Sequence, residues 1–237
     1  MFNRTDIGII GAMEPEIETL IANLTSHKTS SVGGITFHRG RLGKVRVVIA
    51  KCGIGKVFAA LCAEAMIIKY APKLIINTGV GGGIAKGIKV GDVLIADKLV
   101  QHDMDTSAIG DPKGLVSGIN KIYFDADKKA IALIKEIADE RAFQYHVGTV
   151  ASGDLFVSDA ATKERIREEF SASVCEMEGA AIAHVCYVNN TPCTVIRAVS
   201  DSADEDSSMD YQKFLPIAAK KSALITIELC KKYFSEQ

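Results

Sequence analysis

Short apolar runs of strand length alternate with segments of helical period along almost the whole chain, which is the pattern of a layered α/β architecture. Strands are predicted at Ile7–Gly11, Ile35–Arg39, Val45–Lys51, Leu74–Thr78, Asp92–His102, His146–Ser152, Val174–Met177 and Cys193–Ser200. Helices are predicted at Glu14–Leu24, Lys56–Tyr70, Asp127–Arg141, Ala160–Glu169, Gly179–Asn189 and Gln212–Phe234. The segment Gly40–Leu42–Gly43 separates two of these strands by a few residues and reads as a hairpin, so the expected sheet is mixed. After its first residue the helix Lys56–Tyr70 carries only Glu64 and Lys69 as charges. Such a helix is either deeply buried or packed against another subunit.

A length of 237 residues fits one large α/β domain, and no Pro/Ser linker, repeat or low-complexity tract divides it, so a single domain over 1–237 is expected. The 28 basic and 29 acidic residues nearly cancel, which leaves no electrostatic footprint for nucleic acid. No apolar run approaches the roughly 20 residues that span a bilayer, and the opening MFNRTDIGIIGAME enters a strand pattern without a cleavable signal. The expected location is therefore cytoplasmic. Six scattered cysteines without a CxxC pair read as buried reduced thiols, and five histidines without an HxxxH pair give a metal site little support.

Five segments could carry chemistry. In IGIIGAMEPEIE an apolar strand runs into a helix whose first turn holds Glu14 and Glu16. Those carboxylates either complement the helix dipole or face a ligand at the carboxyl edge of the sheet. NTGVGGG, residues 77–83, offers positive φ or close backbone approach, as an anion nest, beside a sugar or as a plain tight turn. In CEMEGAAIAHV, strand alternation puts Glu176 and Glu178 on one face, as a solvated edge or, for Glu178, beside a helix N-terminus. Arg197 interrupts the apolar run CTVIRAVSD, so a carboxylate or a ligand must face it, and Asp201 falls at that strand's carboxyl end. In VASGDLFVSD, Phe156 is a core residue or an aromatic face for a planar base.

Taken in order, GIIGAMEPE, CGIGKV, NTGVGGG, VGD, HDMD, SGDLF, EMEGAAIAHVC and RAVSDSAD resemble the methylthioadenosine/S-adenosylhomocysteine nucleosidases of the nucleoside phosphorylase superfamily, over almost the whole chain. The resemblance implies a three-layer α/β/α fold around a mixed central sheet. It implies a homodimer whose 106–118 loop reaches the neighbouring site, and no metal or organic cofactor. The activity it implies is hydrolysis of the N-glycosidic bond of methylthioadenosine, adenosylhomocysteine and 5′-deoxyadenosine, in methionine salvage and the activated methyl cycle.

Position by position, the resemblance makes Asp201 the donor to purine N7 and Glu16 the residue that activates water. Glu178 and the Met177 backbone match the ribose contacts, Arg197 the group near water and sugar, and Phe156 with the Val157 backbone the base contacts. Met13, Ile54, Tyr211, Val80, Gly81 and Ser200 match further pocket positions. Departure of the base leaves an oxocarbenium-like sugar that a carboxylate can stabilise while a second acid neutralises the leaving group. An ordinary Asp has a pKa of about 3.9, so holding Asp201 half protonated near neutrality needs about 4 kcal/mol. A protonated Asp can donate to N7 while accepting from a 6-amino group, which favours adenine over 6-oxo purines.

Two other readings compete. A phosphorylase would bring a phosphate dianion close to Glu16, at about 4 kcal/mol for each unit pair at 4 Å and an effective dielectric of 20. A binding module would have no need of a water-activating base. Around the 5′ substituent the chain departs from the family: Val80 stands where serine is common, Ile109 where an aromatic is common, and 111–118 (DPKGLVSG) is less aromatic. A futalosine-type 5′ group is therefore an alternative within the same chemistry.

Overall fold

The computed structural model describes residues 5–204 and 207–234. The first four residues of the opening segment and Glu205 and Asp206 of the acidic stretch lie outside the described residues. The strands are β1 (Ile7–Gly11), β2 (Thr25–Val32), β3 (Ile35–Leu42), β4 (Val45–Lys51), β5 (Leu74–Gly83), β6 (Val93–Gln101), β7 (Tyr123–Asp125), β8 (Tyr145–Ser152), β9 (Ala172–Glu176) and β10 (Cys193–Asp201). The helices are α1 (Glu14–Ala22), α2 (Lys56–Tyr70), α3 (Lys128–Glu140), α4 (Ala160–Phe170), α5 (Gly179–Val188) and α6 (Ser207–Tyr233).

Strand alternation sorts the apolar residues into two cores, one on each face of the sheet. Ile7 and Ile9 of β1, Val47 and Ile49 of β4, and Leu74 and Ile76 of β5 pack with Ile17 and Leu20 of α1, Ile134 and Ile137 of α3, and Leu229 of α6. Their neighbours Ile10, Val48, Ala50 and Ile75 point the other way, onto Cys62 and Met66 of α2 and Ile182 and Cys186 of α5. The result is the expected α/β/α layering.

Parallel pairs (β1–β4, β1–β5, β5–β10, β6–β8, β8–β9) and antiparallel pairs (β2–β3, β3–β4, β5–β9, β6–β10, β6–β7) coexist, so the sheet is mixed. Strands run in the order β10-β6-β8-β9-β5-β1-β4-β3-β2, and β10 also pairs with β5. Five strands therefore close on themselves while β1, β4, β3 and β2 extend as an open arm. β5 makes the closure possible: its residues 75–77 lie between β1 and β10, and Gly82 and Gly83 turn to pair with β9.

The glycine run of β5 is extended strand, and none of Gly79, Gly81, Gly82 and Gly83 has positive φ. This corrects the expectation of a nest or tight turn. Glycine is required there by proximity, because a Cβ on Gly81 would lie 2.6 Å from Val174 Cγ1 and one on Gly82 2.8 Å from Asp201 Oδ1. Positive φ occurs instead at Gly43 (+61°), in the two-residue turn between β3 and β4. The hairpin is as expected, with its loop at 43–44.

β2, with the sequence TSHKTSSV, is an edge strand without a sequence signal, because it offers no apolar alternation. α2 is not deeply buried all round: Ala59, Cys62, Ala63, Met66 and Tyr70 face the core, while Val57, Phe58, Leu61 and Ile68 are exposed by more than half. All six cysteines are buried and free. Among the described residues, no helix is long and apolar enough to cross a membrane.

Candidate functional site

The carboxyl ends of β1, β5, β9 and β10 meet around a cavity of about 360 Å³. Its wall contains Met13, Glu16, Ile54, Val80, Gly81, Phe156, Val157, Met177, Glu178, Ser200, Asp201 and Tyr211, twelve of the thirteen positions expected from the sequence. Ala12, Gly82, Leu155, Cys175 and Glu176 complete it. Parallel α/β strands present ligands at this edge because there the ladder ends and the loops begin.

Glu16 is the third residue of α1. Its Oε2 accepts from the amides of Ala12 (2.7 Å) and Met13 (3.0 Å), and its Oε1 accepts from the Val80 amide (3.0 Å) of β5. The sequence left helix capping and a ligand-facing role as alternatives; the structure gives it a capping geometry and a place in the cavity wall together. Burial raises its pKa, against the pull of Arg197 and the three amides. Glu14 points outward and pairs with Lys51 at 2.9 Å.

Glu176 and Glu178 do not share a strand face, because β9 ends at Glu176 and Glu178 is the residue that precedes α5. Glu178 Oε1 accepts from the Gly55 amide at 2.8 Å, and the residue lines the cavity. Burial, reinforced by the like charge of Glu176, pushes its carboxyl up to about 8. Glu176 is held the other way: burial opposes its charge, but Arg197, the Ser152 hydroxyl and the Gly179 amide keep it ionised.

Arg197 is the one expected contact that the cavity does not contain. It is buried behind the wall, where Nη2 donates to Glu176 Oε2 and Asn77 Oδ1 and Nη1 donates to the Ile196 carbonyl. The reason is desolvation, since a guanidinium taken from water needs a carboxylate, and Glu176 supplies one. The burial argument from sequence anticipated such a partner, and the guanidinium that the resemblance puts near water and sugar lies one residue behind the wall, on Glu176. Arg197 still acts on the site through its field, which favours the ionised forms of Glu16 and Glu178.

Asp201 closes the opposite end. Its Oδ2 accepts from the Ser200 hydroxyl at 2.8 Å and its Oδ1 from the Ala203 amide at 2.9 Å. Burial raises its pKa despite both donors. Nearby, Phe156 and Tyr211 meet edge to face with ring centroids 5.5 Å apart, and the Tyr211 hydroxyl donates to Met13 Sδ at 3.0 Å. Phe156 is 42% exposed and Ile54 54%, so this apolar rim is open at the cavity mouth. Sequence reasoning missed Leu155 and Cys175 in the wall and Asn77 and Ser152 behind it, since none stands out from its apolar or polar neighbours.

The profile of the Phosphorylase superfamily matches residues 6–231. A 5′-methylthioadenosine/S-adenosylhomocysteine nucleosidase of Haemophilus influenzae (strain PittEE) is 40% identical over 225 residues, 94% of this chain and 97% of the relative. An aminodeoxyfutalosine nucleosidase of Campylobacter jejuni is 38% identical over 226 residues, 95% of this chain and 98% of the relative. The crystal structure of the Neisseria meningitidis 5′-methylthioadenosine/S-adenosylhomocysteine nucleosidase in complex with methylthio-immucillin-A superposes with a TM-score of 0.93 at 39% identity, covering 96% of this chain and 99% of that one. The chain belongs to the Phosphorylase superfamily, and the likeness to its methylthioadenosine/S-adenosylhomocysteine nucleosidases carried by the ordered motifs is borne out.

Proposed function

We propose that this chain is a hydrolase of the N-glycosidic bond in 5′-substituted adenine nucleosides, methylthioadenosine and adenosylhomocysteine foremost, working as one catalytic domain in the cytoplasm. The observation that carries this reading is the convergence on one cavity of Glu16, Glu178 and Asp201, three buried carboxyls besides Glu176, which is paired with Arg197. Three such groups in a single pocket suit a reaction that needs an acid, a base and an anion for a cationic sugar.

In this reading Asp201 enters protonated and delivers its proton to N7 as the C1′–N9 bond breaks. Glu178 acts in its ionised form, reached as its raised carboxyl loses its proton, and holds the sugar hydroxyls beside the growing positive charge, while Glu16 takes a proton from the attacking water. The atoms balance: nucleoside and water become adenine and the free 5-substituted ribose, and the proton gained by Glu16 replaces the one given up by Asp201. Phe156, Tyr211 and the Val157 backbone hold the base, and the Met177 backbone the sugar. The Val80 side chain brings no hydroxyl to the water, but its amide already fixes Glu16.

The exposed apolar stripe of α2 supports a homodimer, with Ile109 and the rest of the 106–118 loop at the partner's cavity. The 38% identical aminodeoxyfutalosine nucleosidase keeps a larger 5′ substituent in view for the open rim. The test is base release from methylthioadenosine, adenosylhomocysteine, 5′-deoxyadenosine, adenosine, inosine and futalosine, each with and without inorganic phosphate. Adenine release that is independent of phosphate supports the reading; ribose 1-phosphate products would replace it with phosphorolysis.

A further inference from the structure

We propose that Glu176, though it abuts the cavity, is a positioning residue that never touches the substrate: clamped by Arg197 and Ser152, it fixes the turn from which Met177 and Glu178 reach the sugar. This deepens the nucleosidase reading and rests on it. The case begins with occupancy. A carboxylate offers roughly four lone-pair sites, and those of Glu176 are taken by protein donors. Oε1 accepts from the Ser152 hydroxyl and the Gly179 amide (3.0 Å), and Oε2 from Arg197 Nη2, the Glu178 amide (3.0 Å) and the Gly179 amide (2.8 Å). Nothing is left over for a ligand. Ser152 Oγ in turn accepts from the Ala180 amide at 2.7 Å, so three consecutive amides opening α5 are tied to this cluster.

Glu176 therefore does for the 176–180 turn what a capping side chain does for a helix start, but from the strand that precedes it. The amide it binds on Glu178 belongs to the residue assigned to the sugar hydroxyls, and Met177 is strung between the two. Loss of the clamp lets both drift, and their hold on the sugar weakens.

The same geometry sets a charge. The groups facing the Glu178 carboxyl are Glu176 at the end of β9, Arg197 from β10, Glu16 from α1, Cys52 and the Gly55 amide ahead of α2, and Tyr211 from α6. Among them, Glu176 is the nearest like charge along the chain and the one fixed as an anion by direct pairing. Removing it leaves Arg197 uncompensated, and both changes favour ionised Glu178. Its proton should then leave at lower pH.

The experiment compares Glu176→Gln, Glu176→Asp and Ser152→Ala with the wild-type enzyme. Two readouts are taken: ¹³C NMR titration of glutamate carboxyls, with Glu178 assigned through Glu178→Gln, and kcat and KM for methylthioadenosine across pH. In Glu176→Gln the Glu178 carboxyl is expected to titrate lower by about one unit or more, with the acid limb of kcat/KM moving down alongside it. Glu176→Asp and Ser152→Ala keep the charge, so Glu178 titrates as in wild type. Both loosen the turn, and kcat/KM falls about tenfold, mainly through KM. An unmoved Glu178 titration in folded Glu176→Gln overturns the proposal. So does wild-type KM in both charge-preserving variants, which remain the test if Glu176→Gln does not fold. The titration needs no substrate, so an enzyme that released no base from any nucleoside would sink the functional reading and leave this test standing.

Discussion

The backbone amide of Val80 donates to Glu16 Oε1 at 3.0 Å, tying the first turn of α1 to the middle of β5. The tie is possible because Gly79, one residue earlier, has no side chain. A Cβ there would lie 2.4 Å from Glu16 Oε1 and 2.9 Å from its Cδ.

Gly79→Ala is therefore expected to displace the Glu16 carboxyl and to cost about 1–3 kcal/mol of stability through overpacking. Adenine release should fall further than the stability loss explains, since the folded fraction would remain high. Thermal denaturation and turnover on the same preparation check this. A variant that melted earlier but turned over normally would show that the position of Glu16 is not critical.

Asp201→Asn removes the proton that leaves with the base while keeping a side chain that can accept from Ala203 and meet Ser200. General acids contribute roughly 10²–10⁴-fold, and a loss of that size in kcat for adenine release is expected. Near-wild-type release by the folded variant would remove Asp201 from the acid role.

Glu178 carries a signature in stability that needs no substrate. In the fold its carboxyl is pushed up to about 8, above the 4.5 of an ordinary glutamate in the unfolded chain, so the folded state holds the proton more tightly. The associated stability is full below pH 4.5 and is lost as pH rises through about 8. Glu178→Gln cannot ionise, so its melting temperature should decline less between those limits, although the raised pKa values of Glu16 and Asp201 leave part of the slope in place. Parallel melting curves for the two proteins across that range would show that Glu178 is not held neutral in the fold.

How far the sequence reads is visible in particular residues. β1, β4 and β5 were legible because Ile7, Ile9, Val47, Ile49, Leu74 and Ile76 alternate with residues that feed the opposite core. β2 was not legible, since an edge strand held by its ladder with β3 needs no apolar face. The glycine run announced a special backbone, but close approach and positive φ leave the same mark in a sequence. Arg197 announced that a carboxylate or ligand must face it. That the partner is Glu176, 21 residues away, depends on β9 ending where β10 passes, which no local pattern encodes.

The exposed stripe of α2 leads to a prediction about assembly. Val57, Phe58, Leu61 and Ile68 lie on one side of a helix whose other side is core, and an apolar face of that kind marks an interface. Leu61→Glu is expected to shift the protein from dimer to monomer in sedimentation velocity without unfolding it, because Leu61 is 57% exposed within one chain. A wild-type protein that sediments as a monomer at all concentrations would remove the dimer.

Tyr211 separates two contributions that one side chain makes at the cavity mouth. Its ring meets Phe156 edge to face at 5.5 Å, and its hydroxyl donates to Met13 Sδ at 3.0 Å. Edge-to-face pairs contribute about 0.5–1.5 kcal/mol beyond area burial, whereas a thioether is a weak acceptor. Tyr211→Phe keeps the ring pair and is expected to leave KM for methylthioadenosine within about twofold. Tyr211→Ala removes the pair and frees Phe156, so KM should rise about 3–10-fold with a smaller change in kcat, as for lost uniform binding. Steady-state kinetics on both variants decide it. Equal effects from the two would place the contribution in the hydroxyl, and the Met13 contact, not the aromatic pair, would then be what shapes the rim.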